Sequence, residues 1–481
     1  MQKQLTILQI NDVHGYLNEH YEMFRKGNQI THKMVGGYAR INSCFKKIRK
    51  EKGSENVLAF DCGDTLHGTY LAVETRGEVM VEPLNLLKLD VWTIHWDFVY
   101  GANHLKEISE KLNYPLLSCN CHSDADDELL FKATQIFERG GVKVGVIGIG
   151  AYIIDKSFPK RISKGYYFTL GNVELPRHIK NLRENEGAEI IIVLSHLGFS
   201  QDCKLASEVD GIDILLSGHT HNRIYKPTKV NNTTIIQSDC HGSFVGQIKL
   251  EVKDGKISKL QHELIVLDEK INADVEMQQM IDEIYAPHQK MLIEIVGETT
   301  TDLNRYTALE STMDNFLLDA IAHAAGTEIA FSNGWRYGVP IPKGKITNNE
   351  LWNIIPVNPK ISVTEITGQE LWQMMEESLE KTYARDPYKQ MGGYVKRCRG
   401  LNVFCKIENE FGQRIQEFFA EGESLDYKKI YRVAFVTEQG VSKKYGKNRK
   451  ELSVNAIDAL RNYLKEKSPI EAELRNTVVA V

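Results

Sequence analysis

Short apolar runs alternate with amphipathic segments through the first half of the chain. Each run is bounded by Gly or polar turn residues, which is typical of strands buried inside a sheet. We predict five such strands, at 5–10, 57–60, 142–149, 190–194 and 212–216. The intervening segments 37–52, 77–87 and 172–184 have the periodicity of helices that cover a sheet. The alternation predicts an α/β sandwich with its helices on the outside.

The pattern changes twice beyond this region. Period-two runs around the turn Asp254-Gly255 predict an antiparallel hairpin that completes the first domain. A polar helical pattern at 272–293 then predicts a connector helix.

The second half restarts with its own helix at 311–325, a strand at 328–331 and two capping boxes, which open at Thr347 and Thr367. We therefore predict a first domain over 1–271, a linker helix over 272–296 and a separate α+β domain over 297–481.

Composition narrows the class of protein. The chain has 481 residues, a formal net charge of -5 and a pI near 6.3, which gives no electrostatic case for a nucleic acid polymer or an anionic membrane as partner. No apolar run approaches the roughly 18 residues of a membrane span. The N-terminus lacks the apolar core of a signal peptide, so we expect a cytoplasmic protein.

The eight Cys lack CxxC spacing and are interpreted as free thiols. Cys119 and Cys121 fit either alternate strand positions or metal ligands.

Metal-type ligands recur in the turns that follow the predicted strands. Asp12 and His14 follow the first strand, two residues apart, and Asp64 follows the second in a turn opened by Gly63. Alone, each of these turns is weak evidence, because Asx turns are common.

Two further strands end in histidines. His196 follows the strand at 190–194, and Gly-His-Thr-His places His219 and His221 two apart after the next one. Carboxylates combined with imidazoles suit Mn, Fe or Zn better than Ca or Mg. The set predicts two divalent ions bridged by Asp64. His241, in Asp-Cys-His-Gly, has either a supporting or a purely structural role.

The motifs DxH, GD, SHLG and GHTH, in this order on successive strands, resemble those of the calcineurin-type dinuclear metallophosphoesterases, and more narrowly the 5'-nucleotidase family. The resemblance implies a four-layered αββα catalytic domain followed by a substrate-binding domain. It assigns Asp12, His14, Asp64 and His221 to one metal, and Asp64, His196 and His219 to the second.

One segment departs from that family. Where the family usually reads GNHEFDYG, this chain reads Ile94-His95-Trp96-Asp97-Phe98-Val99-Tyr100-Gly101. By alignment His95 replaces the Asn ligand, Trp96 the catalytic His and Val99 the Asp that orients it. Because general acid catalysis contributes about 10²- to 10⁴-fold, its loss favours substrates with good leaving groups. Trp96 then forms an apolar wall, and Asp97 is the first candidate for a replacement acid.

The same segment is similar to GHWEFTYG of the sulfate thiohydrolases of bacterial sulfur oxidation, which are dimanganese enzymes. This resemblance makes Mn the first choice for the two ions, with Zn, Fe or Co as alternatives. Asp386-Pro387-Tyr388 opens a stretch that resembles their DPYxQxGG, and Arg397 falls where they carry an Arg. The family resemblance also places Asn333 and Arg336 in the substrate-binding domain, while Trp335, Tyr337 and Tyr388 are candidates for stacking a base.

Three functions remain open. The first is a dinuclear hydrolase acting on nucleotides or other small phosphoesters. The second is a thiosulfohydrolase-like enzyme that releases sulfate from a thiosulfonate on a carrier. The third is a metal-binding protein with attenuated catalysis.

Overall fold

The structure is a computed structural model that describes residues 2–481. The chain divides into two compact units. Unit 1 comprises the residues through Glu22 together with Lys33–Ala286, and unit 2 comprises Met23–His32 together with Pro287–Val481. Among the described residues, no helix is both long and apolar enough to cross a membrane.

Unit 1 is built on two sheets. The first has five strands, in the spatial order Lys256–Val266, Phe244–Lys253, Lys3–Ile10, Val57–Asp61 and Val91–Trp92. The second has six, in the order Thr228–Val230, Thr233–Ile236, Ile214–Ser217, Ile190–Ser195, Val142–Ile149 and Thr134–Arg139. Cys121–Ser123 and Tyr166–Phe168 form a two-stranded ribbon of unit 1. A second ribbon, His20–Lys26 with Gln29–Val35, contains residues of both units.

The two sheets share one apolar core. Ile7 and Phe60 of the five-stranded sheet are buried in the same cluster as Val146, Ile192 and Leu216 of the six-stranded sheet. The helices Glu174–Glu184 and Phe199–Glu208 bury their apolar sides against the other face of the six-stranded sheet. The layers thus follow the predicted sandwich with helices outside.

Parallel pairing brings the ends of four central strands to common edges. Lys3–Ile10 pairs in parallel with Val57–Asp61, and Ile190–Ser195 pairs in parallel with Ile214–Ser217. Each of these strands is followed by one of the predicted ligand turns. The remaining helical segments of unit 1 are Tyr38–Lys52, Tyr70–Glu74, Val81–Leu87, Ala102–Lys111, Ile154–Ser157 and Val275–Tyr285, with 3-10 turns at Ser54–Asn56, Glu78–Met80 and Trp96–Tyr100.

The connector differs from the single linker helix predicted at 272–296. Val275–Tyr285 is a helix of unit 1 that packs on Tyr38–Lys52 and buries Met277 and Ile281. It ends before Pro287, which cannot donate the backbone hydrogen bond that a continuing helix needs. A separate short helix, Gln289–Leu292, belongs to unit 2.

Unit 2 has its own α+β core. Its five-stranded sheet has the order Tyr394–Arg399, Ile329–Gly334, Ile430–Val436, Lys360–Thr367 and Lys447–Asn455. Smaller sheets contain Glu423–Ser424, Ile415–Ala420, Leu401–Cys405 and Val478–Ala480, and Ile295–Thr299 with Gly344–Thr347. Its further helices are Thr312–Ala325, Asn348–Ile354, Gly368–Tyr383, Thr437–Gly440 and Ala456–Lys467, with a 3-10 turn at Pro387–Lys389. Both predicted capping boxes, opened by Thr347 and Thr367, are present.

Candidate metal centre

The predicted ligand residues of unit 1 adopt an unusual backbone conformation. Five of them have a positive φ between 51° and 71°, a region that residues other than Gly seldom occupy: Asp12, His14, Asp64, His219 and His221. Such strain persists where the surrounding structure enforces it, and it concentrates at functional sites. Gly218 permits the close packing of these turns, since a Cβ there would lie 2.9 Å from Nδ1 of His196 and 3.0 Å from the carbonyl oxygen of Cys62.

The first ligand group consists of Asp12, His14, Asp64 and His221, each offering one donor atom, all within 4.8 Å of one another. The Nε2 atoms of His14 and His221 are 3.3 Å apart. Nε2 of His221 is 3.2 Å from Oδ1 of Asp12, and Nε2 of His14 is 3.6 Å from Oδ2 of Asp64.

The second ligand group consists of Asp64, His95, His196 and His219, again within 4.8 Å. Nδ1 of His95 is 3.1 Å from Oδ1 of Asp64, and Nε2 of His196 is 3.2 Å from Oδ2 of the same carboxylate. Asp64 is thus the member common to both groups. The structure brings all seven predicted ligands together, His95 included.

Backbone carbonyls fix the orientation of two of the imidazoles. Nδ1 of His14 donates to the carbonyl oxygen of His67 over 3.1 Å, and Nδ1 of His196 donates to that of Cys62. Because a carbonyl only accepts, each of these rings carries a proton on Nδ1 and turns Nε2 toward the carboxylates. A ring nitrogen that donates away from the site is the usual arrangement of a metal-ligating histidine.

The electrostatics of the buried cluster suit cations. Burial would raise the pKa of Asp64, but the imidazoles of His95 and His196 outweigh it and hold that pKa well below its usual range. Burial lowers the pKa of His14 to about 4, which keeps that ring neutral at pH 7. For His196 burial acts in the same direction, but the carboxylates of Asp64 and Asp12 raise its pKa to about 10. Nε2 of His95 is buried and makes no hydrogen bond with the described residues. The donors therefore fit a pair of divalent ions.

Asp97, the candidate replacement acid, has a different environment from the one expected. Its side chain is 1% exposed. One carboxylate oxygen accepts the backbone N–H groups of Thr65 and Leu66 over 2.9 and 2.8 Å. The other accepts those of Asp64 and His95 over 2.9 and 3.2 Å. A carboxylate with four backbone donors joins the loops that carry two ligands, so the prediction that it protonates a leaving group does not fit its contacts.

Trp96 lies in an aromatic stack. Its ring is parallel to that of His67 within 10°, with the two centroids 5.0 Å apart. The centroid of the Phe158 ring lies 4.6 Å from that of Trp96. Its backbone N–H donates to Oδ1 of Asp64 over 2.7 Å. The side chain is partly exposed. This placement agrees with the predicted apolar wall next to the ligands.

The sequence reasoning missed Asp202, which supports both histidine turns. Its two carboxylate oxygens accept the hydroxyl groups of Ser195 and Ser217, each over 2.6 Å. These serines directly precede His196 and Gly218. The available signal was a serine at the same place in both turns, since two buried hydroxyl groups require partners.

The predicted substrate residues of unit 2 have unequal environments. Asn333 donates to the side-chain oxygen of Gln439 over 2.8 Å, and a guanidinium nitrogen of Arg336 donates to the carbonyl of Gly393 over 2.8 Å. Both are partly exposed, as is Tyr388 on the turn Pro387–Lys389.

Arg397, by contrast, is 1% exposed, and its three nitrogens donate to Asp314 and to the carbonyls of Thr307 and Ala308. These bonds account for its burial as a core residue of unit 2, so we remove it from the substrate-binding set. Trp335 and Tyr337 are likewise buried, with ring centroids 5.8 Å apart, and do not offer a surface for stacking a base.

Comparison with known proteins identifies both units. The family model of the calcineurin-like phosphoesterases matches residues 5–223, and that of the 5'-nucleotidase C-terminal domain matches residues 295–437. A snake venom 5'-nucleotidase from Naja atra is 26% identical over 460 residues, which cover 86% of this chain and 84% of the relative.

Two solved structures from Thermus thermophilus share the fold over nearly the whole chain. A sulfate thiohydrolase, SoxB, superposes with a TM-score of 0.93 at 24% identity, covering 99% of this chain and 96% of its own. A 5'-nucleotidase precursor superposes with a TM-score of 0.87 at 22% identity, covering 99% of both chains. The two family models match consecutive parts of the chain, in the predicted order. The chain is therefore a hydrolase of the calcineurin-like metallophosphoesterase and 5'-nucleotidase family.

Proposed function

We propose that this chain is a dinuclear metal-dependent hydrolase that cleaves small phosphoesters, nucleotides among them, and that it works best on substrates with good leaving groups. The observation that carries the proposal is Asp64, which belongs to two four-residue ligand groups at once. Calcineurin-like phosphoesterases bind two divalent metals, and we propose Mn as the pair, held by Asp12, His14, Asp64, His95, His196, His219 and His221. When bound, such ions supply a nucleophile at neutral pH and Lewis acidity toward a tetrahedral anion.

The residues of the site would contribute binding and orientation. The ionised Asp64 carboxylate shares its single negative charge between the two ligand groups, and Asp97 holds the loops of Asp64 and His95 in register through four backbone bonds. Asn333, Arg336 and Tyr388 of unit 2 remain proposed substrate-binding residues, with Arg336 suited to a phosphate charge.

The leaving group would depart with little help from a side-chain acid. Trp96 carries no acidic proton, and Asp97 is occupied by backbone donors. Burial lowers the pKa of His67, the ring stacked on Trp96, to about 3, so that ring is neutral at pH 7 and a poor proton donor. Weakly basic leaving groups are therefore favoured over a nucleoside alkoxide.

The test compares two substrates on protein loaded with Mn. For each enzyme, we take the ratio of kcat/KM for an aryl phosphate to kcat/KM for AMP. We expect this ratio to be about 10²- to 10⁴-fold larger for this chain than for a nucleotidase that has the His-Asp dyad. A ratio equal to that of such a nucleotidase would refute the proposed preference, although hydrolysis of either substrate would still support the metal centre.

A second candidate is a thiosulfohydrolase-like reaction. It is favoured by the His-Trp-Asp-Phe segment and by the structural similarity to a sulfate thiohydrolase. A thiolate, with an ordinary pKa near 8.5, leaves without an acid. Release of sulfate from an S-sulfonated cysteine persulfide in a carrier peptide, faster than hydrolysis of aryl phosphate, would favour this reaction over the first. If protein that binds two Mn ions catalyses neither reaction, the third function remains, a metal-binding protein with attenuated catalysis.

A further inference from the structure

Beside the first ligand group lies a third cluster of potential ligands. Cys240 and His241 occupy the loop between the strands Thr233–Ile236 and Phe244–Lys253, and donor atoms of both lie within 4.8 Å of a ring nitrogen of His221. Sγ of Cys240 is 3.3 Å from Nδ1 of His241. Cys240 and His241 have no part in the proposed hydrolysis.

His241 is the unexplained residue of this cluster. Its side chain is 1% exposed, yet its Nε2 makes no hydrogen bond with any described residue. Its other ring nitrogen faces only the weakly hydrogen-bonding thiol of Cys240. A buried nitrogen without a partner is unfavourable because it has lost its bonds to water, and native structures seldom keep one without a reason.

The loop that holds these residues is fixed on both sides. The N–H of His241 donates to the carbonyl of Asp12 over 2.7 Å. Nδ2 of Asn11 donates to the carbonyl of Asp239 over 2.6 Å, and Arg223 binds the carboxylates of both Asp239 and Glu22. The thiol and the imidazole are therefore held in place by the same loops that carry Asp12 and His221.

We propose that Cys240, His241 and His221 form a third cation site, specific for a thiophilic ion such as Zn²⁺ or Cd²⁺. One thiolate with two imidazoles suits such ions, whereas Mn²⁺ prefers oxygen-rich ligands. On binding, the thiol releases its proton to solvent and the sulfur bonds to the ion. The site rests on the proposed function only in sharing His221 with the first ligand group, and for that reason its occupation inhibits the Mn-loaded enzyme.

The experiment titrates the full chain, loaded with Mn²⁺, with Cd²⁺. We expect one Cd²⁺ to bind per chain with a thiolate-to-Cd²⁺ charge-transfer band in the ultraviolet. Cys240→Ser should abolish the band and weaken Cd²⁺ binding at least tenfold, and His241→Gln should weaken binding while the band remains at higher Cd²⁺. Cys203→Ser, which changes a partly exposed thiol elsewhere in unit 1, should leave band and affinity unchanged.

Absence of the band in the wild-type chain, or its persistence in Cys240→Ser, would overturn the site. The ¹¹³Cd NMR shift of the wild-type complex provides a readout that does not depend on a variant folding: a shift typical of nitrogen and oxygen ligands alone would also overturn it. A Cys240-dependent band in protein that hydrolyses no substrate would refute the proposed function and leave this site standing. Hydrolysis by protein that shows no such band would refute the cation site and leave the proposed function standing.

Discussion

Asp97→Asn separates a positioning role of this residue from a role as a catalytic acid. The amide keeps one oxygen, which can still accept from Thr65 and Leu66. Its NH₂ group then faces the backbone N–H groups of Asp64 and His95, which in the wild type donate to Oδ2 over 2.9 and 3.2 Å. Two buried donors thus lose their acceptor, at about 1–3 kcal/mol each, so the free energy of unfolding should fall by roughly 2–6 kcal/mol.

This loss should be visible as heat lability and as loss of metal. For a unit of this size a destabilisation of about 3–4 kcal/mol lowers Tm by roughly 6–16 °C. Because both unpaired donors belong to ligand residues, we also expect Mn content to fall. Calorimetry of the metal-free chain measures the first effect, and elemental analysis of the Mn-loaded chain the second. Asp210→Asn, an exposed aspartate of unit 1, is the matched control. An Asp97→Asn chain that keeps the Tm and Mn content of the wild type but loses activity would refute our reasoning and restore Asp97 as the acid.

Three further predictions concern the neighbouring residues. His95→Ala should lower Mn content from about two toward one per chain, whereas His323→Ala on the surface of unit 2 should not; unchanged content in His95→Ala would remove it from the ligand set. Trp96→His should raise kcat/KM for alkyl phosphates more than for aryl phosphates, and equal changes would mean that Trp96 does not stand at the leaving group. Asp202→Ala removes the acceptor of two serine hydroxyl groups and should lower the free energy of unfolding by about 3 kcal/mol, measured by guanidinium denaturation; a loss below about 1 kcal/mol would contradict the support we assign to it.

The strands and ligand turns of unit 1 were predictable because they depend on local patterns. A buried strand such as Ile190–Ser195 is a continuous apolar run, and the turn after it contains the residues that carry the chemistry. Parallel pairing of neighbouring strands then brings the turns together without further information from the sequence.

Long-range partners were not predictable in the same way. The linker helix was predicted to continue past Pro287, although proline ends a helix. The packing of Met277 on another helix could not be predicted, because no local sequence pattern indicates it. Arg397 was predicted to bind substrate because the thiohydrolases carry an Arg at that place. Its buried partner Asp314 lies 83 residues away in sequence, so no local pattern indicates the pair. The role of Asp97 depends on four backbone donors that only the folded loops bring together.

The metal content of Asp64→Asn tests the central claim most directly. The variant keeps the shape of the side chain but removes the charge that both ligand groups share. After loading with Mn and gel filtration, we predict about two ions per wild-type chain, two in the Asp210→Asn control, and fewer than one in Asp64→Asn, with hydrolysis lost in parallel. Retention of two ions by Asp64→Asn would contradict a centre bridged by this carboxylate, and loss of one ion alone would place Asp64 in a single ligand group.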